Sequence, residues 1–139
     1  MNCSPNGATR RNVTEFVADA SAILAFARGE PGEKRVGNVR TNCVVSSLNL
    51  MEAFSKLVRY DMPADQVRHF LRESFPCVIP LDRELAEHSA VMHARLHKLG
   101  ISYADCACLS LGAQRKATVL TADRDWKKLE VDVKLELIR

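Results

Sequence analysis

Apolar positions along the chain change period several times, and each change marks an element. "FVA", residues 16–18, is a short apolar run that ends at Asp19. From Ala20 to Arg28 the pattern predicts a helix, stopped by Gly29 and Pro31-Gly32. The polar segment "EKRVGNVRTN" separates it from a β-branched stretch at Cys43–Val45. A helix over 48–60 follows, with Leu50, Ala53, Phe54, Leu57 and Val58 on one apolar face. Pro63 begins the next helix, "PADQVRHFLRESF", as a first-turn proline.

"CVIPLD" then reads as a brief strand. An amphipathic helix starts near Arg83, with Leu85, Ser89, Met92, Leu96 and Leu99 on one stripe and Gly100 closing it. From Ala104 to Ala113 the chain is apolar on nearly all sides, which predicts a central, buried helix. "ATVLTAD" is a strand, "RDWKKL" a short helix and "VDVKLELIR" a last strand with alternation. Strands separated by helices need crossover connections, which predicts an α/β domain whose central parallel sheet is flanked by helices.

Composition narrows the class. A chain of 139 residues, 47% hydrophobic and 27% charged, suits one ordinary globular domain. The net charge of +3 permits an anionic partner without demanding one. Five cysteines show no C-x-x-C pair and no disulfide-framework spacing. They read as small, reduced, apolar residues, which points to the cytoplasm. Residues 1–13 are polar and basic and read as a flexible extension ahead of a single domain over 14–139. No secretory or membrane-spanning stretch is predicted.

Candidate chemistry lies with the carboxylates. Open parallel sheets bind ligands beyond the carboxyl ends of their strands, and Asp19 and Asp123 fall at such ends. Asp105 opens the buried helix, and Glu52 is a lone acid beside the apolar face of its own. Each has a structural alternative. The three aspartates suit helix starts, and Glu52 could pair with Lys56 four residues on. Together, however, carboxylates at one sheet end repel one another. A hard cation with oxygen ligands, Mg²⁺ or equally Mn²⁺, relieves that repulsion and supports phosphodiester hydrolysis. No Ser-His-Asp or Cys-His pattern and no glycine-rich phosphate loop competes with this reading.

The segments "FVADASAILAFARGEPG", "VVSSLNLMEAFSKL", "GISYADCACLSLGAQRKATVLTADRDW" and "VDVKLELIR" resemble PIN-domain ribonucleases, especially the VapC toxins of bacterial toxin–antitoxin pairs. The likeness runs from about Glu15 to the end and keeps the family's order of elements. It implies a three-layer PIN-like fold and a Mg²⁺-dependent endoribonuclease that hydrolyses RNA. Asp19, Glu52, Asp105 and Asp123 match the four acids in order, with Asp19, Asp105 and Asp123 as metal ligands. Glu52 would then orient the attacking water. The resemblance also implies a homodimer and a VapB-like antitoxin that blocks the acidic pocket. Ser21 and Thr121 would support the site or serve as turn residues, and Asp125 is the stand-in for Asp123.

Other features take plainer readings. His93 and His97 stand four apart without the H-E-x-x-H pattern and read as surface or interface residues. Arg115, Lys116, Arg124, Lys127 and Lys128 read as a solvated basic face. Trp126 is expected to pack under the final strand rather than to stack on RNA. Three alternatives remain: a PIN nuclease of RNA maturation, a non-catalytic α/β binding module, and a phosphoacceptor receiver. The last wants paired acids at the first strand, where "FVADAS" offers one.

Overall fold

The computed structural model describes residues 15–139, so the extension expected over 1–13 lies outside the described residues. The first strand is β1, Phe16–Ala18, followed by α1, Ala20–Arg28. Then come α2, Glu33–Val39, the strand β2, Cys43–Ser46, and α3, Ser47–Arg59. The middle of the chain gives α4, Ala64–Ser74, the two-residue β3, Val78–Ile79, and α5, Arg83–Leu96. The chain closes with α6, Tyr103–Arg115, β4, Thr118–Thr121, and β5, Lys134–Leu137. Strand order is β3-β2-β1-β4-β5, and every pairing is parallel.

Side chains alternate across this sheet, so it has two cores. Phe16, Ala18, Cys43, Val45 and Leu120 face a cluster with Ile23, Leu57, Leu71 and Phe75 from the helices. Val17, Val44 and Val119 face the other, with Leu85, Leu96, Cys108, Leu109 and Trp126. Covering on both faces explains why the strands read as continuous apolar runs. Gly112 lets α6 lie close on β4, because a Cβ there would stand 2.5 Å from a Val119 methyl.

Several expectations need correction. The polar segment after Pro31-Gly32 is the helix α2, which buries Val36 and Val39. Its seven residues, with Gly37 in the interior, carry little intrinsic helix signal, so packing decides it. Pro63 precedes the helix as its cap residue instead of occupying the first turn. Val58 is 38% exposed and lies off the buried face of α3. The α5 stripe ends at Leu96; residues His97–Leu99 form a 3-10 turn, which swings Leu99 out to solvent. "RDWKK" is likewise a 3-10 helix, Arg124–Lys128.

Cys43, Cys106 and Cys108 are buried free thiols, but Cys77 is disulfide-bonded. The reading of all five as reduced therefore fails, because spacing along a chain does not show which sulfurs meet in space. Among the described residues no helix is long and apolar enough to cross a membrane.

Candidate active site

Asp19 is delivered by β1 and held by its neighbours. Its backbone N–H donates to Leu120 O at 3.1 Å, which continues the β1–β4 ladder one residue past the strand. Its φ of −80° and ψ of 175° are extended, so the chain turns into α1 with Asp19 as the N-cap. Oδ1 accepts from the Ala22 N–H at 2.8 Å and the Ser21 hydroxyl at 2.7 Å. Oδ2 accepts from the Thr121 hydroxyl at 2.6 Å. The capping expectation is met, yet capping does not account for the residue. Asp19 is only 4% exposed, and burial pushes its carboxyl up to about 6. Hydrogen bonds from Ser21, Thr121 and Ala22 oppose that rise, and the Asp105 charge adds to it. A carboxylate oxygen accepts at two lone pairs, so Oδ1 is filled while Oδ2 has one left.

Ser21 and Thr121 are thereby tied into the site. Each hydroxyl donates to Asp19 and accepts a backbone N–H, Ser21 from Ala122 at 2.8 Å and Thr121 from Asp123 at 3.0 Å. Turn duty and carboxylate support are the same arrangement here.

Asp105 is the third residue of α6 and half of a capping box. Its Oδ2 accepts from Ser102 N–H at 3.0 Å, and its own N–H donates to Ser102 Oγ at 3.1 Å. Oδ1 accepts no hydrogen bond among the described residues, so it remains open to a ligand. Glu52, in the second turn of α3, makes the expected pair with Lys56 at 3.6 Å. The charges of the three acids nevertheless all reach one thiol. The Cys108 thiol, one turn beyond Asp105, is pushed well above its ordinary range by burial, then by the charges of Asp19, Asp105 and Glu52.

Asp123 enters differently. Its main chain is two hydrogen bonds from Asp19 through Thr121. Its carboxylate is exposed and caps the 3-10 helix by accepting from Asp125 N–H at 3.0 Å. Asp125 is exposed and pairs with Lys128 at 3.5 Å. Among the described residues no three His, Cys, Asp or Glu side chains converge into a metal cage. The free acceptors on Asp19 and Asp105 are carboxylate oxygens with unfilled lone pairs. That set suits a hard cation held by one or two carboxylates and water.

Two buried residues, one beside Glu52 in α3 and one at the opposite end of the sheet, escaped the sequence reading. Asn49, one turn before Glu52, is fully buried, and its Nδ2 has no hydrogen-bond partner. Arg115, grouped with the solvated basic face, is 5% exposed and forms a bidentate ion pair with Glu15. No signal in the adjacent sequence, Gln114-Arg115-Lys116, marks it as buried.

The family model of the PIN domain matches residues 16–132. The chain belongs to the PIN-domain family. A comparison with curated proteins gives no match. Among solved structures, this PIN domain is similar to DNA-bound VapBC from Salmonella typhimurium, at 16% identity and a TM-score of 0.69, over 91% of this chain and 100% of that one. VapC20 from Mycobacterium tuberculosis, described as a sarcin-ricin loop cleaving toxin, is 16% identical with a TM-score of 0.70, over 84% of this chain and 96% of its own. VapBC-1 from nontypeable Haemophilus influenzae is 17% identical with a TM-score of 0.66, over 90% and 98% respectively. At these identities the likeness is one of fold.

Proposed function

We propose that this PIN domain is a Mg²⁺-dependent endoribonuclease and the toxin of a VapBC-type pair. The observation that supports the reading is the buried carboxylate of Asp19, which neutral donors hold at the carboxyl edge of the sheet within reach of the Asp105 charge. Asp19 and Asp105 would hold the cation through Oδ2 and Oδ1. Asp123 would complete the site directly or through water, after a small turn of its side chain away from the 3-10 helix. A bound Mg²⁺, or Mn²⁺, supplies water activation and charge screening for in-line phosphodiester hydrolysis.

The protein's own groups do the rest. Ser21 and Thr121 lock the Asp19 carboxylate in one orientation, so little reorganisation is needed when substrate arrives. Glu52 orients the attacking water and takes its proton, exchanging its contact with Lys56 for the water. The exposed Arg124, Lys127 and Lys128 lie beside Asp123 and offset the repulsion between RNA and the acids. A VapB-like antitoxin belongs to the same reading, supported by VapBC complexes among the similar folds, and a homodimer is part of the proposal.

The test is cleavage of several RNAs by the wild type, Asp19→Ala and Asp105→Ala, each with Mg²⁺ and with EDTA. The expected result is wild-type cleavage only, and only with the metal. Equal cleavage by the variants, or cleavage that EDTA does not stop, refutes the reading.

A further inference from the structure

Trp126 is shut away at 1% exposure, but another aromatic ring stands exposed in the same first turn of α6 as Asp105. Tyr103 is the first residue of α6, two before Asp105, and is 69% exposed. Its position is fixed from two sides. The Ser102–Asp105 capping box sets the first turn of the helix. His93 of α5 stacks on the ring, with centroids 4.0 Å apart and planes inclined by 25°. One face is therefore covered by an imidazole, while the high exposure leaves the opposite face in water.

Two residues along a helix correspond to about 200° of rotation. The Tyr103 ring and the Asp105 carboxylate thus leave α6 on different sides. A nucleotide stacked on Tyr103 would be a neighbour of the one whose phosphate meets the acids. The turn that leads into α6 carries His97 and Lys98, both exposed, and Lys98 offers a cation to a phosphate backbone on that side of the helix. Aromatic faces accept any base, because every base has a π-face.

We propose that Tyr103, backed by His93, is a stacking platform for a base of single-stranded RNA flanking the phosphate cut at the acidic cluster. The inference rests on the nuclease reading for its substrate and adds a residue that positions it.

Tyr103→Ala should raise KM for single-stranded RNA about tenfold or more with kcat little changed, while Tyr103→Phe keeps both. Binding is followed separately in an Asp19→Ala background carrying Tyr103→Trp. Trp126, the natural tryptophan, is buried, so emission from the new indole reports the platform. Oligouridylate or oligoadenylate of about 12 nucleotides, within the site sizes of single-strand binders, should quench it saturably. An unchanged KM in Tyr103→Ala, or unchanged emission at saturating RNA, overturns the proposal. So does a variant that binds RNA normally but loses self-association or a protein partner, since the ring would then be a protein contact. If the wild type cuts no RNA and the quenching still occurs, the platform stands while the nuclease reading falls.

Discussion

Glu15 and Asp19 lie four residues apart at opposite ends of β1, and the fold treats their charges in opposite ways. At the amino end, Glu15 receives the Arg115 guanidinium in a bidentate pair whose Arg115 side chain is 1% exposed. At the carboxyl end, Asp19 is equally enclosed, but its partners are two hydroxyls and one peptide N–H. Among the described residues no ammonium or guanidinium is paired with it. A buried charge without a counter-ion is costly, and the raised Asp19 carboxyl registers that cost. One end of the strand is electrostatically complete, whereas the other holds a buried carboxylate without a paired cation among the described residues, which is where the proposed function would put a metal ion.

The sharpest break of this contrast is Asp19→Asn. RNA cleavage should fall about a thousandfold or more, the several kcal/mol that a bound cation contributes to such a reaction. Thermal unfolding in metal-free buffer at pH 7 should show the same variant more stable than wild type. Thr121 can reverse its hydroxyl to receive the new amide, so the hydrogen bonds survive while the buried charge goes. A variant less stable than wild type would count against the unpaired-charge account.

Arg115→Met acts at the complete end. Leaving Glu15 enclosed without its partner should cost about 3 to 5 kcal/mol in chemical denaturation. Mg²⁺ should still stabilise this variant as it does the wild type, because the acids at the far edge are untouched.

Asp19 also fixes a pH dependence. Its folded value, about 6, lies above the ordinary 3.8. Between those values the folded state keeps a proton that the unfolded chain has released, so this group's contribution is full below about pH 4 and is lost as pH rises through 6. The span is at most about 3 kcal/mol, and a matched titration of Asp19→Asn should lack it. Adding Mg²⁺ at neutral pH should restore roughly 2 kcal/mol to the wild type when the metal is at some thirtyfold its Kd, and nothing to Asp19→Asn. The smallest effect belongs to the surface. Arg35 reaches Glu136 of β5 at 2.6 Å, but both side chains are partly exposed, so Arg35→Ala should cost under about 1 kcal/mol.

Much of this was legible in the amino-acid order. The runs Phe16–Ala18 and Thr118–Thr121, with an acid one and two residues beyond their ends, announced parallel strands and their carboxyl ends. The all-round apolar α6 announced a central helix. The segment that became α2 was hidden because Gly37 weakens its local signal and only docking of Val36 and Val39 fixes it. Arg115 looked like one more cation of a basic face, since no local pattern shows that Glu15 waits a hundred residues away. Asp123 and Asp19 looked alike in sequence, both acids after a strand, and only burial separates them.

The order of residues by itself thus determined most of the element types, with α2 the exception, the parallel architecture and the positions in the chain where acids leave strands and open helices. These follow from short-range periodicity and capping chemistry, which act within a few residues. Tertiary structure alone decided which carboxylate is stripped of water, which is answered by a guanidinium, and which aromatic ring faces solvent. Those outcomes depend on groups brought together across the whole chain: Thr121 onto Asp19, Arg115 onto Glu15, His93 onto Tyr103. Charge and stacking energies depend on distance and burial in space, and neither is written in spacing along the chain.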